Sequence, residues 1–343
     1  MKDSREDVGR SEGWLREFLR YGASTWTQFL PLVVGLLVIV LGSILTQWFA
    51  GRSGAESQDV VLYCAQDQVF AEPLLAEFAR QTGIRVRPVF DSEAVKTAGL
   101  VNRLLAERAR PVCDVFWGNE ELRTRQLAEA GVLVSPDGWS AFGQRSRRLV
   151  INTNHWPPPG GAAWASTVTW TGLTNGVWAG RVSMAYPLFG TTATHLLALR
   201  QHWGQSNWLT WCRALVRTRP FIEEGNSQVV RRVARGEAWI GMTDSDDIAF
   251  GQREGLPVAA LPIGPESLLI PNTVALVARP GGPTEAARRL YEWLQGPAVR
   301  EELERVGALE PVGASGPVLR PAWPDLVRDL DAGLESLRDV FRR

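Results

Sequence analysis

Three carboxylates lie within four consecutive positions of the segment TDSDD, residues 243–247. Carboxylates this close repel one another unless a metal ion, an ammonium group or water relieves the charge. Asp244 directly follows a predicted strand, whereas Asp246 and Asp247 fall in the first turn of a predicted helix, which favours acidic residues in any case. Two interpretations therefore stay open: a contact with a metal or cationic group, led by Asp244, or an ordinary helix start.

A second segment, FGTTATH, places Gly190, Thr191 and Thr192 at the predicted start of a helix. The free backbone N–H groups and the positive dipole end of such a helix suit an oxyanion such as phosphate, phosphonate or carbonate. Asn226 and Ser227 open a later helix in the same manner. For both segments the alternative is N-capping without any ligand.

Three further pairs of polar residues follow predicted strands in the first half of the chain. They are Gln66 and Asp67, Asp91 and Ser92, and Asn119 and Glu120. Because ligands of α/β sheets bind beyond the carboxyl ends of the strands, these side chains are candidate ligand contacts. Asp91 and Ser92 alone would also explain the start of the next helix by capping.

No arrangement of nucleophile, base or metal ligands typical of an enzyme is visible in the sequence. Ser-His-Asp, Cys-His and HExxH patterns are absent, as are GxGxxG and Walker loops. His195 is expected to be a packed helix side chain. Cys64, Cys113 and Cys212 match no metal or disulfide spacing and are expected to be small buried residues. We therefore expect a binding protein without catalytic activity.

Short apolar runs alternate with amphipathic stretches along the chain, which predicts an α/β fold with parallel, doubly wound sheets. The predicted strands are residues 60–63, 84–90, 112–117, 181–185, 238–242 and 272–278. The predicted helices are residues 71–81, 93–109, 121–130, 191–203, 208–216, 227–235, 247–255, 285–294, 298–306 and 325–342. The 343 residues, 45% of them hydrophobic, are enough for two lobes.

Residues 29–50 form an almost wholly apolar run within a stretch that has no charged residue between Arg20 and Arg52. About 20 residues at ~1.5 Å each match a hydrocarbon core of roughly 30 Å. Trp26 and Trp48 lie near the two ends, where indoles prefer the membrane interface. A polar segment, residues 1–28, precedes the run, so we expect an uncleaved transmembrane signal anchor.

Basic residues are concentrated before this predicted span. Lys2, Arg5, Arg10, Arg16 and Arg20 precede it, and only Arg52 closely follows it. The positive-inside rule therefore predicts a single-pass protein of the cell membrane with residues 1–28 in the cytoplasm. After a small, polar linker, residues 51–58, the rest of the chain would be extracytoplasmic, that is periplasmic.

The whole chain carries 37 Lys and Arg against 37 Asp and Glu, hence no formal net charge. A nucleic-acid partner attracted by overall charge is therefore excluded. The expected partners are a small molecule or metal ion, another protein, and the membrane through the N-terminal helix.

Five segments in order along the chain resemble a known family. They are VVLYCAQDQ, TGIRVRPVFDSEAVKTAGLVNRLLAERARPVCDVFWGNE, VSMAYPLFGTTATH, EEGNSQVVRRVARGEAWIGMTDSDD and LLIPNTVALV. Together they are similar to family-1 extracellular solute-binding proteins of ABC importers, which have the two-lobed type II periplasmic-binding-protein fold. The ferric-iron-binding branch is the nearest.

The resemblance implies a ligand trapped between two lobes and delivered to the permease of an ABC importer. It implies no resident cofactor, with Fe³⁺ as a candidate for the transported ligand. The crossovers between lobes are expected near residues 149–153 and 255–261. Lobe 1 would comprise residues 59–148 and 258–298, and lobe 2 residues 149–257 and 299–343.

One departure from the ferric-binding pattern concerns the iron ligands. Ferric-binding relatives carry adjacent tyrosines after the strand that corresponds to residues 239–242, where this sequence has MTDSDD. If iron is bound, the resemblance assigns Asp67, Glu120 and Asp244 as its ligands, since hard Fe³⁺ accepts carboxylate oxygens. The expected ligand is thus ferric iron or a small oxyanion or phosphonate. The alternatives are a membrane-anchored ligand sensor and a metal-dependent extracytoplasmic hydrolase.

Overall fold

The computed structural model describes residues 59–91, 96–156, 168–311 and 317–342. The predicted signal anchor, the linker and Ser92 lie outside these ranges. Within them, no helix combines the length and the apolar character needed to cross a membrane.

The first part of the chain alternates strands and helices as predicted. The elements are β1 (Asp59–Cys64), α1 (Gln68–Thr82), β2 (Arg85–Val89), α2 (Lys96–Ala106), β3 (Val115–Gly118) and α3 (Glu121–Glu129). Strand β1 pairs in parallel with β2 and β3. Its side chains alternate between two apolar layers, with Leu62 packed on the side of α1 and Tyr63 on the side of α2. We call this part the first lobe.

A second set of elements repeats the pattern and forms the second lobe. It comprises β5 (Val182–Ala185), α4 (Gly190–Trp203), α5 (Gln205–Arg217), β6 (Phe221–Glu223), α6 (Asn226–Ala234), β7 (Ile240–Asp244) and α7 (Ser245–Arg253). Strand β5 pairs in parallel with β6 and β7. Strand β7 ends two residues later than predicted, so that Asp244 is its last residue.

One long strand, β4 (Trp139–Asn152), belongs to both lobes. Its first half pairs with β9 (Leu269–Leu276) of the first lobe, and its second half pairs with β7 and with β8 (Val258–Ala260). These pairings are antiparallel, so the expectation of purely parallel sheets was wrong. The crossover strand begins at Trp139, before the predicted residues 149–153. The prediction missed its first part because arginines interrupt the apolar pattern that indicates a strand.

The C-terminal helices divide between the lobes. They are α8 (Glu285–Leu294), α9 (Pro297–Arg305), α10 (Trp323–Arg328) and α11 (Leu330–Val340). Val299 and Leu303 pack in the core that contains Leu74, whereas Leu330 and Leu337 pack in the second lobe. The expectation that all of residues 299–343 join the second lobe therefore fails for α9, whose apolar side faces the first lobe.

A bulge interrupts β4 beside the crossover. The register with β9 shifts between Phe142 and Gln144, and the intervening Gly143 has φ +63°. A Cβ atom added to Gly143 would overlap the Leu309 side chain. Glycine is therefore required at this position for two reasons, its backbone conformation and the close approach of residue 309.

We predict that Gly143→Ala will destabilise the protein by about 1–3 kcal/mol more than Gly180→Ala, because only the first adds an overlap to the strained backbone. Gly180 is a matched control, since its φ is +68° and no atom lies within 4 Å of an added Cβ. Urea unfolding of both variants measures the difference. Equal losses would mean that residue 309 does not constrain the bulge.

Candidate functional site

A polar cavity of about 70 Å³ lies where strand ends of both lobes meet. Asp67, Thr97 and Asn119 contribute from the first lobe, and Arg145 from β4. From the second lobe come Ala185, Tyr186, Phe189, Gly190, Thr191, Thr192, Glu224, Gly225, Asn226, Asp244, Asp246 and Asp247. The starts of helices α4, α6 and α7 converge here, as expected for the carboxyl edge of parallel strands.

The cavity is built around Asp244, which is 2% exposed. Arg147 lies directly opposite it in the antiparallel ladder of β4 and β7, and Arg147 Nη1 donates to Asp244 Oδ1 at 2.6 Å. Asp244 Oδ2 accepts from Thr191 Oγ1 at 2.7 Å and from Asn226 Nδ2 at 3.1 Å. Every oxygen of this carboxylate is therefore engaged by the protein itself.

Arg145 extends the same group of charges towards the cavity. Its Nε lies 3.4 Å from an oxygen of Asp244 and 3.4 Å from Asp246 Oδ2, while its Nη1 donates to Asn272 Oδ1 at 2.9 Å. Arg145 is 2% exposed and Arg147 is fully buried. Buried guanidinium groups require paired anions, because an unpaired charge in the interior is very costly. We call Arg145, Arg147, Asp244, Thr191 and Asn226 the arginine–aspartate network.

The network sets the two aspartates apart electrostatically. Burial by itself would raise the pKa of Asp244, but the attraction of Arg147 and Arg145 and the Thr191 hydrogen bond outweigh it, so the pKa lies below its ordinary value. For Asp246, burial dominates over the attraction of Arg145, and the neighbouring Asp244 adds repulsion, which raises the pKa to about 6. The surroundings therefore favour the charged form of Asp244 and disfavour the charged form of Asp246.

Nine residues predicted from the sequence line this one cavity: Asp67, Asn119, Gly190, Thr191, Thr192, Asn226, Asp244, Asp246 and Asp247. Their roles differ. The side chains of Thr191, Asn226 and Asp244 are tied into the network. By contrast, Thr192 Oγ1 and Asp246 Oδ1 are buried and have no hydrogen-bond partner among the described residues. Both atoms belong to side chains that line the cavity and could bind a ligand.

Four other predicted residues do not line the cavity. Gln66 is buried, and its Oε1 accepts from Asn272 Nδ2 at 2.8 Å. Glu120 is fully buried; it accepts a hydrogen bond from Thr194 Oγ1 and lies 3.9 Å from Arg123 Nε. Asp91 and Ser227 are half-buried outside the cavity.

Glu120 nevertheless joins the two lobes, because Thr194 belongs to α4. Burial raises the pKa of its carboxyl, although Arg123 and the Thr194 hydrogen bond oppose the rise. Its position behind Thr194 makes it an interlobe contact rather than a cavity-lining metal ligand.

The sequence analysis missed Arg145, Tyr186, Phe189 and Glu224 at this site. A signal existed for Tyr186, which stands at the end of a predicted strand beside the glycine–threonine turn. None existed for Arg145, because its strand was not predicted. His195 is fully buried, with a pKa lowered to about 3 by burial and by Arg147, and its Nε2 lies 2.7 Å from the Glu266 carbonyl. It is the packed side chain that was expected.

Asp244→Asn and Asp246→Asn are the same chemical change two residues apart, and we predict opposite effects on stability at pH 7.5. Asp244→Asn leaves Arg147 without its counter-charge and should destabilise by about 3 kcal/mol or more. For Asp246 the folded pKa is raised, so its stabilising contribution is full below about pH 4 and is lost as pH rises through about 6. The melting temperature of Asp246→Asn should therefore be higher than that of wild type at pH 7.5 and equal to it at pH 4.

Thermal melts across this pH range, with the exposed Asp137→Asn as control, make the comparison. A loss of stability for Asp246→Asn at pH 7.5 equal to that for Asp244→Asn would contradict the division of roles.

Solved structures with a similar fold bind varied ligands. A ferric binding protein from Campylobacter jejuni superposes with a TM-score of 0.70 at 14% identity, covering 83% of this chain and 100% of that one. Iron-bound HitA from Pseudomonas aeruginosa has a TM-score of 0.68 at 20% identity, covering 82% and 99%. The periplasmic binding protein AfuA from Actinobacillus pleuropneumoniae, with bound fructose-6-phosphate, has a TM-score of 0.67 at 16% identity, covering 83% and 98%.

These likenesses show the two-lobed α/β fold of periplasmic binding proteins. No curated protein matches the chain. A family model described as bacterial extracellular solute-binding protein matches residues 60–308, which include most of both lobes and the whole cavity lining. The chain therefore belongs to the bacterial extracellular solute-binding protein family.

Proposed function

We propose that this protein is the extracytoplasmic substrate-binding component of an ABC importer and traps a small ligand between its lobes. The observation that carries the proposal is a polar cavity to which both lobes contribute, with Asp67 and Asn119 on one side and Thr192 and Asp246 on the other. A ligand that contacts both sides binds the closed form better than the open one and so shifts the population towards closure.

The connections between the lobes support a hinge. Strand β4 crosses once, and the bulge at Gly143 is a natural bending point. Arg148 ties this strand to the returning chain, because its Nη1 donates to the Leu261 carbonyl and its Nη2 to Glu310 at 2.9 Å. Within the proposal, residues 59–148 and 258–298 move as lobe 1 together with α9, and the remainder moves as lobe 2.

Ferric iron and a small oxyanion or phosphonate are both candidate ligands. The similar structures include iron-bound and sugar-phosphate-bound proteins. The start of α4, with Gly190 and Thr192, supplies the helix N-terminus that an oxyanion needs. No catalytic step is proposed: the carboxylate that a metal-dependent hydrolase would need first, Asp244, is engaged by Arg147 and Thr191.

The second element of the proposal is membrane attachment through residues 29–50, which supports retention of the binding lobes near a permease. The family is extracellular, and the charge asymmetry around the apolar run favours a cytoplasmic N-terminus.

The binding prediction is tested on the full chain purified in detergent. Native mass spectrometry before and after gentle unfolding should show the loss of one small ligand per chain. Addition of that ligand to the emptied protein should restore the mass and raise the melting temperature. No bound or rebinding small molecule, together with metal-dependent turnover of phosphate esters, would replace the importer proposal with the hydrolase.

The topology prediction is tested with intact spheroplasts. External protease should remove the mass that follows residue 53 and spare an N-terminal tag on residues 1–20. Protection of the large part until the membrane is permeabilised would reverse the proposed orientation.

A further inference from the structure

We infer that the ligand is a small molecule carrying both an ammonium group and an oxyanion, held by Asp246 at one end and by Thr192 at the other. The inference rests on the proposed function and names the chemical class bound in the same cavity.

The oxyanion end is the start of α4. Thr192 is 2% exposed and lines the cavity, and its Oγ1 has no hydrogen-bond partner among the described residues. An unpaired buried hydroxyl is costly, and a charged oxygen acceptor would satisfy it. The space beside Gly190 is open, because nothing lies within 4 Å of an added Cβ. Arg145 lines the same cavity and adds positive charge.

The cationic end is Asp246. This side chain is 8% exposed and lines the cavity; Oδ2 lies 3.4 Å from Arg145, while Oδ1 has no hydrogen-bond partner among the described residues. Asp67, Glu224 and Asp247 also line the cavity. Among the described residues that line the cavity there are thus five carboxylates and one guanidinium, that of Arg145, with Arg147 buried next to it. This excess of negative charge favours a ligand group that is positive and donates hydrogen bonds.

A bare trivalent metal fits this arrangement poorly. The carboxylate oxygens of Asp244, Asp246 and Asp247 do lie within 4.8 Å of one another. However, both oxygens of Asp244 already accept from the network, and Arg145 beside the site would repel a trivalent ion far more strongly than a singly charged ammonium group. An ammonium group needs only the one open oxygen of Asp246 and brings its own donors.

Thr192 and Asp246 line the same cavity, so one small molecule can contact both ends. The cavity of about 70 Å³ has room for a ligand of only a few non-hydrogen atoms.

The test uses matched probes on the full chain in detergent, measured by titration calorimetry. Three zwitterions share one two-carbon spacer and differ in the oxyanion: 2-aminoethylphosphonate, β-alanine and taurine. Each has a partner without the ammonium group: ethylphosphonate, propionate and ethanesulfonate. Ethylamine lacks the oxyanion, and ferric citrate represents iron. We expect at least one zwitterion to bind, and its two halves to bind at least about tenfold more weakly.

The variants assign the two ends. Asp246→Asn should lower the affinity for the zwitterion at least about tenfold and leave the affinity for its ammonium-free partner unchanged or higher. Thr192→Val should lower the affinity for the zwitterion and for its ammonium-free partner by a similar factor. Asp331→Asn and Thr210→Val, on exposed helix positions, are matched controls that should change nothing.

Binding of ferric citrate without any zwitterion, or halves that bind as well as the whole, would overturn the inference while leaving the importer proposal intact. Zwitterion binding that neither variant alters would also overturn the inference. Failure of the importer proposal can be told apart from these outcomes, because the natural ligand would then also be missing from the native mass spectrum.

Discussion

Two arginine side chains without access to water are the constraint on which the site depends. Arg145 and Arg147 project from the strand shared by both lobes and have to be paired where they stand. Asp244 supplies the pairing charge, and Thr191 and Asn226 complete its hydrogen bonds. The end of β7 and the starts of α4 and α6 are thereby held to the crossover strand. These elements cannot separate without leaving a buried charge unpaired or exposing it to water, and this fixes the position of the cavity.

The same network explains why neighbouring side chains have different tasks. Both oxygens of Asp244 already accept from the protein, from a guanidinium, a hydroxyl and an amide, so this carboxylate serves chiefly to hold the fold together. Asp246 Oδ2 lies 3.4 Å from Arg145 Nε, whereas Asp246 Oδ1 and Thr192 Oγ1 have no hydrogen-bond partner in the part of the chain that the structure describes. Unsatisfied buried groups reduce stability in the empty protein and become favourable contacts once a complementary ligand arrives.

Local patterns were sufficient for most elements and for the neighbourhood of the site. Strands β5 and β7 and helices α4 and α7 are apolar or amphipathic over most of their lengths, so Thr192 and Asp246 could be placed at the ends where ligands bind. The role of each residue could not be predicted, because it depends on pairing over long distances in sequence. Arg147 meets Asp244 across 97 positions, and its strand carries arginines where an apolar alternation would be expected. For the same reason the sequence favoured Asp244 over Asp246.

The most direct test of the account is the titration of individual aspartate carboxyls by NMR, in protein carrying ¹³C at the aspartate side-chain carbons. Assignment comes from the loss of one signal in Asp244→Asn and of another in Asp246→Asn. The account predicts that the Asp244 signal stays in its ionised position to below the ordinary aspartate pKa of about 4, while the Asp246 signal titrates near pH 6. An Asp244 signal that titrates at or above the pH of Asp246 would contradict the central role given to the arginine–aspartate network.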